Sequence, residues 1–263
     1  MKLSSDWHAN TYSYNAFSIS DRDNQIFDGQ NFVINGHNKV THLLSIHNCE
    51  NFHIRNLHFI GGNTGSLRFL RRTDISYHYK KGTVYEIVDG GAVVISGRSS
   101  VIFENCRFTN NTSVLCGGAV SNQSTEVVIF DKCYFENNTS GHTGSAIDNL
   151  VPDSKIEVSD SQFVGNKSNL WYMSGYPHGQ ISIFPNAQAL IRRSKFISGS
   201  IPFDHDITSK VEVIDNNYTD HLDWNEKLPV DRKYSIFFDN FRLTRKHWWV
   251  PLKTLGNVKY HIN

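Results

Sequence analysis

The sequence predicts an all-β chain built as a solenoid of short stacked strands, and three observations carry that prediction. One motif is repeated three times at a spacing of about 27 residues. Between its copies the apolar residues alternate over short runs rich in Val, Ile and Phe, with no helical spacing. Clusters of Gly, Asn, Ser and Thr separate those runs, which is the chemistry of tight turns.

The first copy pairs Gly90-Gly91-Ala92-Val93 with Phe108-Thr109-Asn110-Asn111. The second pairs Gly117-Gly118-Ala119-Val120 with Phe135-Glu136-Asn137-Asn138, and the third pairs Gly144-Ser145-Ala146-Ile147 with Phe163-Val164-Gly165-Asn166. Short strands repeated at this period wind into a parallel β-helix, each coil burying its apolar face against its neighbours. Equivalent residues then stack at the interstrand spacing of about 4.8 Å and form ladders.

Three structural ladders follow. Phe108, Phe135 and Phe163 stack inside, in a register that extends to Phe59, Phe196 and Tyr218. Asn111, Asn138 and Asn166 stack at a corner, where Asn tolerates unusual dihedrals and its amide reaches the next Asn. The glycines Gly90, Gly91, Gly117, Gly118 and Gly144 mark a corner where Cβ atoms collide or φ must be positive. Packing and turn chemistry account for all of these residues.

The G-G-A-V/I motif coupled to F-x-x-N resembles the repeat of polymorphic outer membrane proteins, within the broader pectate-lyase-like β-helix class. The resemblance implies a single-stranded, right-handed parallel β-helix of roughly seven to eight coils with caps at both ends. Its functional implication is broad, because that class includes adhesins, virion and tailspike parts, polysaccharide lyases, hydrolases and epimerases.

In chain order, residues 1–25 are polar with scattered aromatics and are expected to cap the N-terminal end. The helix proper is expected over 26–221, opening with Gln25 to Gly36 and continuing through Leu43 to Phe59. An insertion at 62–88 carries Arg71, Arg72, Tyr77 and His78, and a shorter one at 167–177 carries Trp171, Tyr172 and Tyr176. Both fall at the corner between F-x-x-N and G-G-A-V, so they are expected to project from one side as walls of a trough. If Val120 points inward, then Val94, Ser121, Asp148 and Ser182 form an exterior row as the trough floor, while Asn122 and Asn149 stack inside. His142 lies on the short corner between the insertions, and His178 aligns with the first glycine of the motif. From 222 to 263 the repeat stops and an aromatic C-terminal cap follows, with a strand expected at Tyr234 to Phe238.

A net charge of +1 argues against a general polyanion binder, and the basic, aromatic insertion matches no nucleic-acid-binding pattern. There is no apolar run of membrane-spanning length and no signal-peptide core at the start, so an extracellular or virion surface and the cytoplasm are both open as locations. Cys106 and Cys133 share one repeat position and are expected as stacked core thiols, since parallel Cβ vectors suit a disulfide poorly. The sequons beginning at Asn111, Asn138 and Asn166 arise from the corner motif itself.

Two chemistries are weighed for the trough. Sugar cleavage needs paired carboxylates or a base with charge neutralisation, and the trough offers one floor carboxylate, Asp148, with His142 and His178 nearby, half of such a set, to which the first insertion adds basic residues. Aromatic and Arg/His side chains above a flat strand floor suit glycan contact, through Arg71, Arg72, Tyr77, His78, Trp171, Tyr172, Tyr176 and His178. Asp204 and Asp206 form a weak candidate cation site; no cofactor is expected, calcium being the one conceivable ion. The favoured reading is a non-catalytic structural or recognition component of a larger surface or virion assembly, with glycans or other proteins as partners. The alternative is a lyase, hydrolase or epimerase acting on an acidic polysaccharide, and a third is an intracellular enzyme on a small acidic substrate.

Overall fold

The computed structural model describes residues 1–66, 89–168, 179–206 and 208–219, together with the backbone of strand Val258–His261. The described residues are all β, with no helix among them. Their strands stack in parallel into a nearly closed solenoid with three faces. Face A is made by Ser13–Ser20, the second half of Val33–His47, Val93–Gly97, Val120–Ser124, Ile147–Asn149, Gly179–Ile183 and Ile201–His205. Face B runs from Ile26–Asp28 through Phe52–Arg55, Val101–Glu104, Val127–Asp131, Lys155–Ser159 and Gln188–Arg192 to Lys210–Ile214 and Val258–His261. Face C contains His58–Gly62, Arg107–Thr109, Tyr134–Glu136, Gln162–Val164, Lys195–Ile197 and Asn217–Thr219. Val33–His47 bends from face C to face A, which joins those two faces into one hydrogen-bonded sheet.

The strands follow from the period-two alternation of the sequence. In Val101–Glu104 and Phe52–Arg55, buried and half-buried residues alternate strictly, so Phe52, Ile54, Val101 and Phe103 enter the core while their neighbours face outward. The expected Phe ladder forms. Ring centroids are 5.1 Å apart for Phe59 and Phe108, 4.7 Å for Phe108 and Phe135, 4.8 Å for Phe135 and Phe163 and 4.7 Å for Phe163 and Phe196. Tyr218 extends it at 5.6 Å. A second stack, Phe103 on Phe130 at 5.2 Å, meets the first edge-on. Such contacts add to the burial of each ring about 0.5 to 1.5 kcal/mol per pair.

The Asn ladder is an amide chain inside the corner. Asn111 Nδ2 donates to Asn138 Oδ1 at 3.0 Å and Asn138 Nδ2 to Asn166 Oδ1 at 2.9 Å. Each Nδ2 also donates to a carbonyl of the preceding Phe position, Phe59, Phe108 or Phe135. The unusual dihedral sits one residue earlier than expected, at Asn110 (φ 54°), Asn137 (φ 52°) and Gly165 (φ 62°). The ladder amides are free to point inward because their neighbours take the left-handed turn.

The glycine pairs divide two tasks. Gly90, Gly117 and Gly144 have φ of 71°, 65° and 59°. Gly91 and Gly118 are instead needed for close approach, since a Cβ there would lie 2.3 Å from the Gly118 carbonyl oxygen and 2.1 Å from the Ser145 carbonyl oxygen, respectively. All four cysteines are free and buried, as the register required of Cys106 and Cys133. Their thiols point at strand carbonyls, Cys106 Sγ to Ile54 O at 3.6 Å and Cys133 Sγ to Phe103 O at 3.4 Å.

The segment 1–25, expected as an N-terminal cap, pairs with the solenoid strands. Lys2 bridges Asp28 on face B, Trp7 and His8 pair with Ile34 and Asn35, and Ser13–Ser20 pairs with the face A half of Val33–His47. Among the described residues no helix is long and apolar enough to cross a membrane. The strand expected at Tyr234 to Phe238 lies outside the described residues.

Candidate functional site

The outward row of face A has the register expected from the motif. Ser121 pairs with Val94 and with Asp148, and Asp148 with Ser182. The row runs on to Ser45 and Ser18 at one end and to Asp204 at the other. Asn122 and Asn149 lie inside, joined by an amide hydrogen bond of 2.7 Å.

An open floor at Ser121 and Asp148 does not form. Both residues are 0 % exposed, and Val94 and Ser182 are 3 % and 2 %. The row is open only towards its ends, where Ser45 and Asp204 are half-buried and Ser18 is exposed. The residues expected to build the trough walls, Arg71, Arg72, Tyr77, His78, Trp171, Tyr172, Tyr176 and His178, lie outside the described residues.

Two buried acids, Asp148 in the middle of the row and Asp89 beside it, are followed by the half-buried Asp204 at its end. Asp148 Oδ1 accepts from Thr143 Oγ1 at 3.1 Å. Burial, and then the charge of Asp89, push its carboxyl well above the usual carboxylate range. Asp89 Oδ1 accepts the Cys116 N–H at 2.8 Å, and burial pushes this carboxyl up to about 7. Asp204 Oδ1 accepts the Gly179 N–H at 2.8 Å, and its carboxyl is pushed up to about 6 by loss of water. His142, exposed on the corner, acts on Asp204 electrostatically in the opposite sense. Its backbone joins it to the fold: its N–H donates to Leu115 O at 2.7 Å, and its carbonyl accepts from Ser140 and Ser168.

The weak cation site is divided by the register. Asp204 sits on a face A strand, while Asp206 lies in the following turn, where its Oδ1 accepts the backbone N–H and the hydroxyl of Thr208 at 2.9 and 2.7 Å. His205, between them, is buried and directs Nδ1 to Ser209 and the Asp206 carbonyl. Among the described residues no three metal-ligating side chains converge.

The open part of face A lies at the N-terminal coils. A cleft of about 440 Å³ is lined by Tyr14, Asn15, His42, Ser45, His47, Val94 and Ser96. Tyr14 stands at its edge, 56 % exposed. His47 Nδ1 lies 3.0 Å from Ser96 Oγ, which fixes the ring over the floor. His42 is buried and neutral, its imidazolium disfavoured by loss of water until about pH 4. Its Nε2 lies 2.9 Å from the Asp89 carbonyl, so that nitrogen must carry the proton. Nδ1 is then an acceptor. Asn15 Oδ1 lies 3.1 Å from it and Asn15 Nδ2 donates to Ser18 Oγ at 3.1 Å; with the amide turned over, its nitrogen donates to Nδ1 and its oxygen takes the Ser18 hydroxyl. Among the described residues the lining is thus the Tyr14 ring, Val94 and mutually oriented polar groups, with no carboxylate.

Sequence reasoning placed the floor row but missed this cleft. The signal was present, because Ser45 and His47 occupy the register positions of Val94 and Ser96.

No family model matches the chain, and no curated protein or solved structure matches it. The fold and the cleft define a class: a parallel β-solenoid with a polar, aromatic-edged cleft on one face.

Proposed function

We propose that this chain is a non-catalytic recognition module, a right-handed parallel β-helix of roughly seven to eight coils related to the pectate-lyase-like class, that contacts glycans as part of a larger surface or virion assembly. The observation that carries the reading is the open cleft of about 440 Å³, lined by Tyr14, Asn15, His42, Ser45 and His47 without a carboxylate. Its volume lies in the range of small-molecule sites. A pyranose ring presents a C–H face to Tyr14 and hydroxyls to the Asn, Ser and His groups, which are already oriented by hydrogen bonds of about 3 Å.

The enzymatic alternative has less in its favour. It needs Asp148 to meet a polysaccharide, and Asp148 is 0 % exposed. A rigid strand face with preformed polar pairs suits binding, since little ordering opposes association.

The test is a screen of neutral and acidic oligosaccharides read for both binding and turnover, with Tyr14→Ala as the comparison. Binding without turnover, weakened about five- to thirtyfold by the loss of one stacking ring, is the expected result. Turnover that disappears in Asp148→Asn would replace this reading with the enzymatic one.

A further inference from the structure

Asp89, Asp148 and Asp204 present a separate problem that recognition of a ligand does not solve. Asp148 and Asp204 lie two rungs apart on one row, with Ser182 between them, and Asp89 interacts with Asp148 from the adjoining corner. Asp89 and Asp148 are 0 % exposed. Each has one carboxyl oxygen, Oδ2, that no donor reaches among the described residues. An ionised carboxylate so placed lacks both water and a donor, whereas a protonated carboxyl supplies its own O–H. The geometry therefore calls for protons on Asp89 and Asp148.

We propose that Asp89 and Asp148 act as a proton-held latch on the wall of face A, closed while the pair is protonated and loosened when it ionises, with Asp204 the next acid along the row. The groups facing it are known among the described residues. Cys116 presents its N–H to Asp89, and its thiol lies 3.2 Å from Thr143 Oγ1, which donates to Asp148. Ser182 and the Gly179 N–H face Asp204, and among the described residues His142 acts on it electrostatically. His42 donates to the Asp89 carbonyl. Like charges on Asp89 and Asp148 would repel in a medium of low polarity, and the Cys116 and Thr143 turn between them would yield.

The raised carboxyls fix the direction of the effect. A carboxyl whose proton is held more tightly folded than unfolded stabilises the fold at low pH, and that contribution is lost as pH rises through its folded value. For Asp89 that value is about 7. The Asp89 carbonyl also anchors His42, so opening the latch loosens one wall of the cleft. That consequence concerns the cleft whatever it binds, and the latch itself does not depend on the recognition reading.

The experiment follows the thermal unfolding midpoint of the ligand-free chain from pH 6.5 to pH 8, a window in which His42 stays neutral folded and goes from half protonated to neutral unfolded, which by itself would raise the midpoint with pH and so opposes the expected fall. The midpoint is expected to fall by several degrees across it, and Asp89→Asn/Asp148→Asn is expected to flatten that fall to about a degree. A wild-type midpoint unchanged over the window, or a double variant with the wild-type slope, would overturn the latch. Should the double variant not fold, infrared spectroscopy of the wild type decides: a protonated-carboxyl band present at pH 6.5 and reduced at pH 8 supports the proposal, and its absence at pH 6.5 refutes it.

Discussion

The coil spacing at the glycine corner makes Gly118→Val the sharpest perturbation of the fold. A Cβ built on Gly118 lies 2.1 Å from the Ser145 carbonyl oxygen, 2.8 Å from the Thr139 carbonyl carbon and 2.9 Å from the Thr139 nitrogen. All three are backbone atoms, so no side chain can swing aside. The backbone is also held in place, because the Gly118 N–H donates to Gly144 O at 2.9 Å and the Ser145 N–H to Gly179 O at 3.0 Å. Relief requires two coils to part and their hydrogen bonds to lengthen together. Overpacking of this kind costs about 1 to 3 kcal/mol, and with backbone bonds weakened as well roughly 3 to 5 kcal/mol is expected. In a domain of this size that is a fall of roughly 10 °C in the unfolding midpoint, readable by circular dichroism. Gly65→Ala serves as the control, since its nearest contacts are side-chain atoms at 3.2 and 3.4 Å, and its midpoint should move by under about 3 °C. An unchanged midpoint for Gly118→Val would refute the coil register itself.

Other expectations follow from the same register. Asn138→Ala removes an amide that donates to Phe108 O and Asn166 Oδ1 and whose oxygen receives the Asn111 N–H and Nδ2; a loss of about 2 to 4 kcal/mol is expected in urea unfolding, against about 1 kcal/mol or less for Asn137→Ala. The four cysteines should resist alkylation in the native chain and react fully in denaturant without reductant, and mass spectrometry finding a Cys106–Cys133 bridge would contradict the inward stacking. His42 is held neutral folded to about pH 4 against an ordinary value of 6.5, so its contribution is complete above pH 6.5 and lost as pH falls towards 4; it is about 3 kcal/mol, and His42→Gln should remove that part of the acid sensitivity in the difference from wild type.

The sequence made the repeating elements legible because a solenoid writes its register into a period. Phe108, Phe135 and Phe163 identify one ladder, and once that is aligned the Ser121, Asp148 and Ser182 row follows by alternation. The depth of that row was not legible. Alternation tells inward from outward, but what covers an outward residue depends on chain far away in sequence, and Asp148 proved buried. The place of Asp204 on a face A strand was not legible either, because the segment from Ile201 to Asp206 lacks the glycine pair that precedes Val93 and Val120. The cleft escaped for a related reason: Tyr14 and Asn15 belong to a strand that carries no motif and joins face A only by pairing with Val40 to His47.

Chemical-shift mapping of an oligosaccharide selected by the binding screen is the most direct test of recognition at the N-terminal part of face A. Titration is expected to shift the Tyr14, His47 and Ser96 resonances together, with Asp148 and its neighbours unmoved and no new sugar species in the spectrum. Shifts centred on Asp148 and His142, accompanied by cleavage products, would contradict the account.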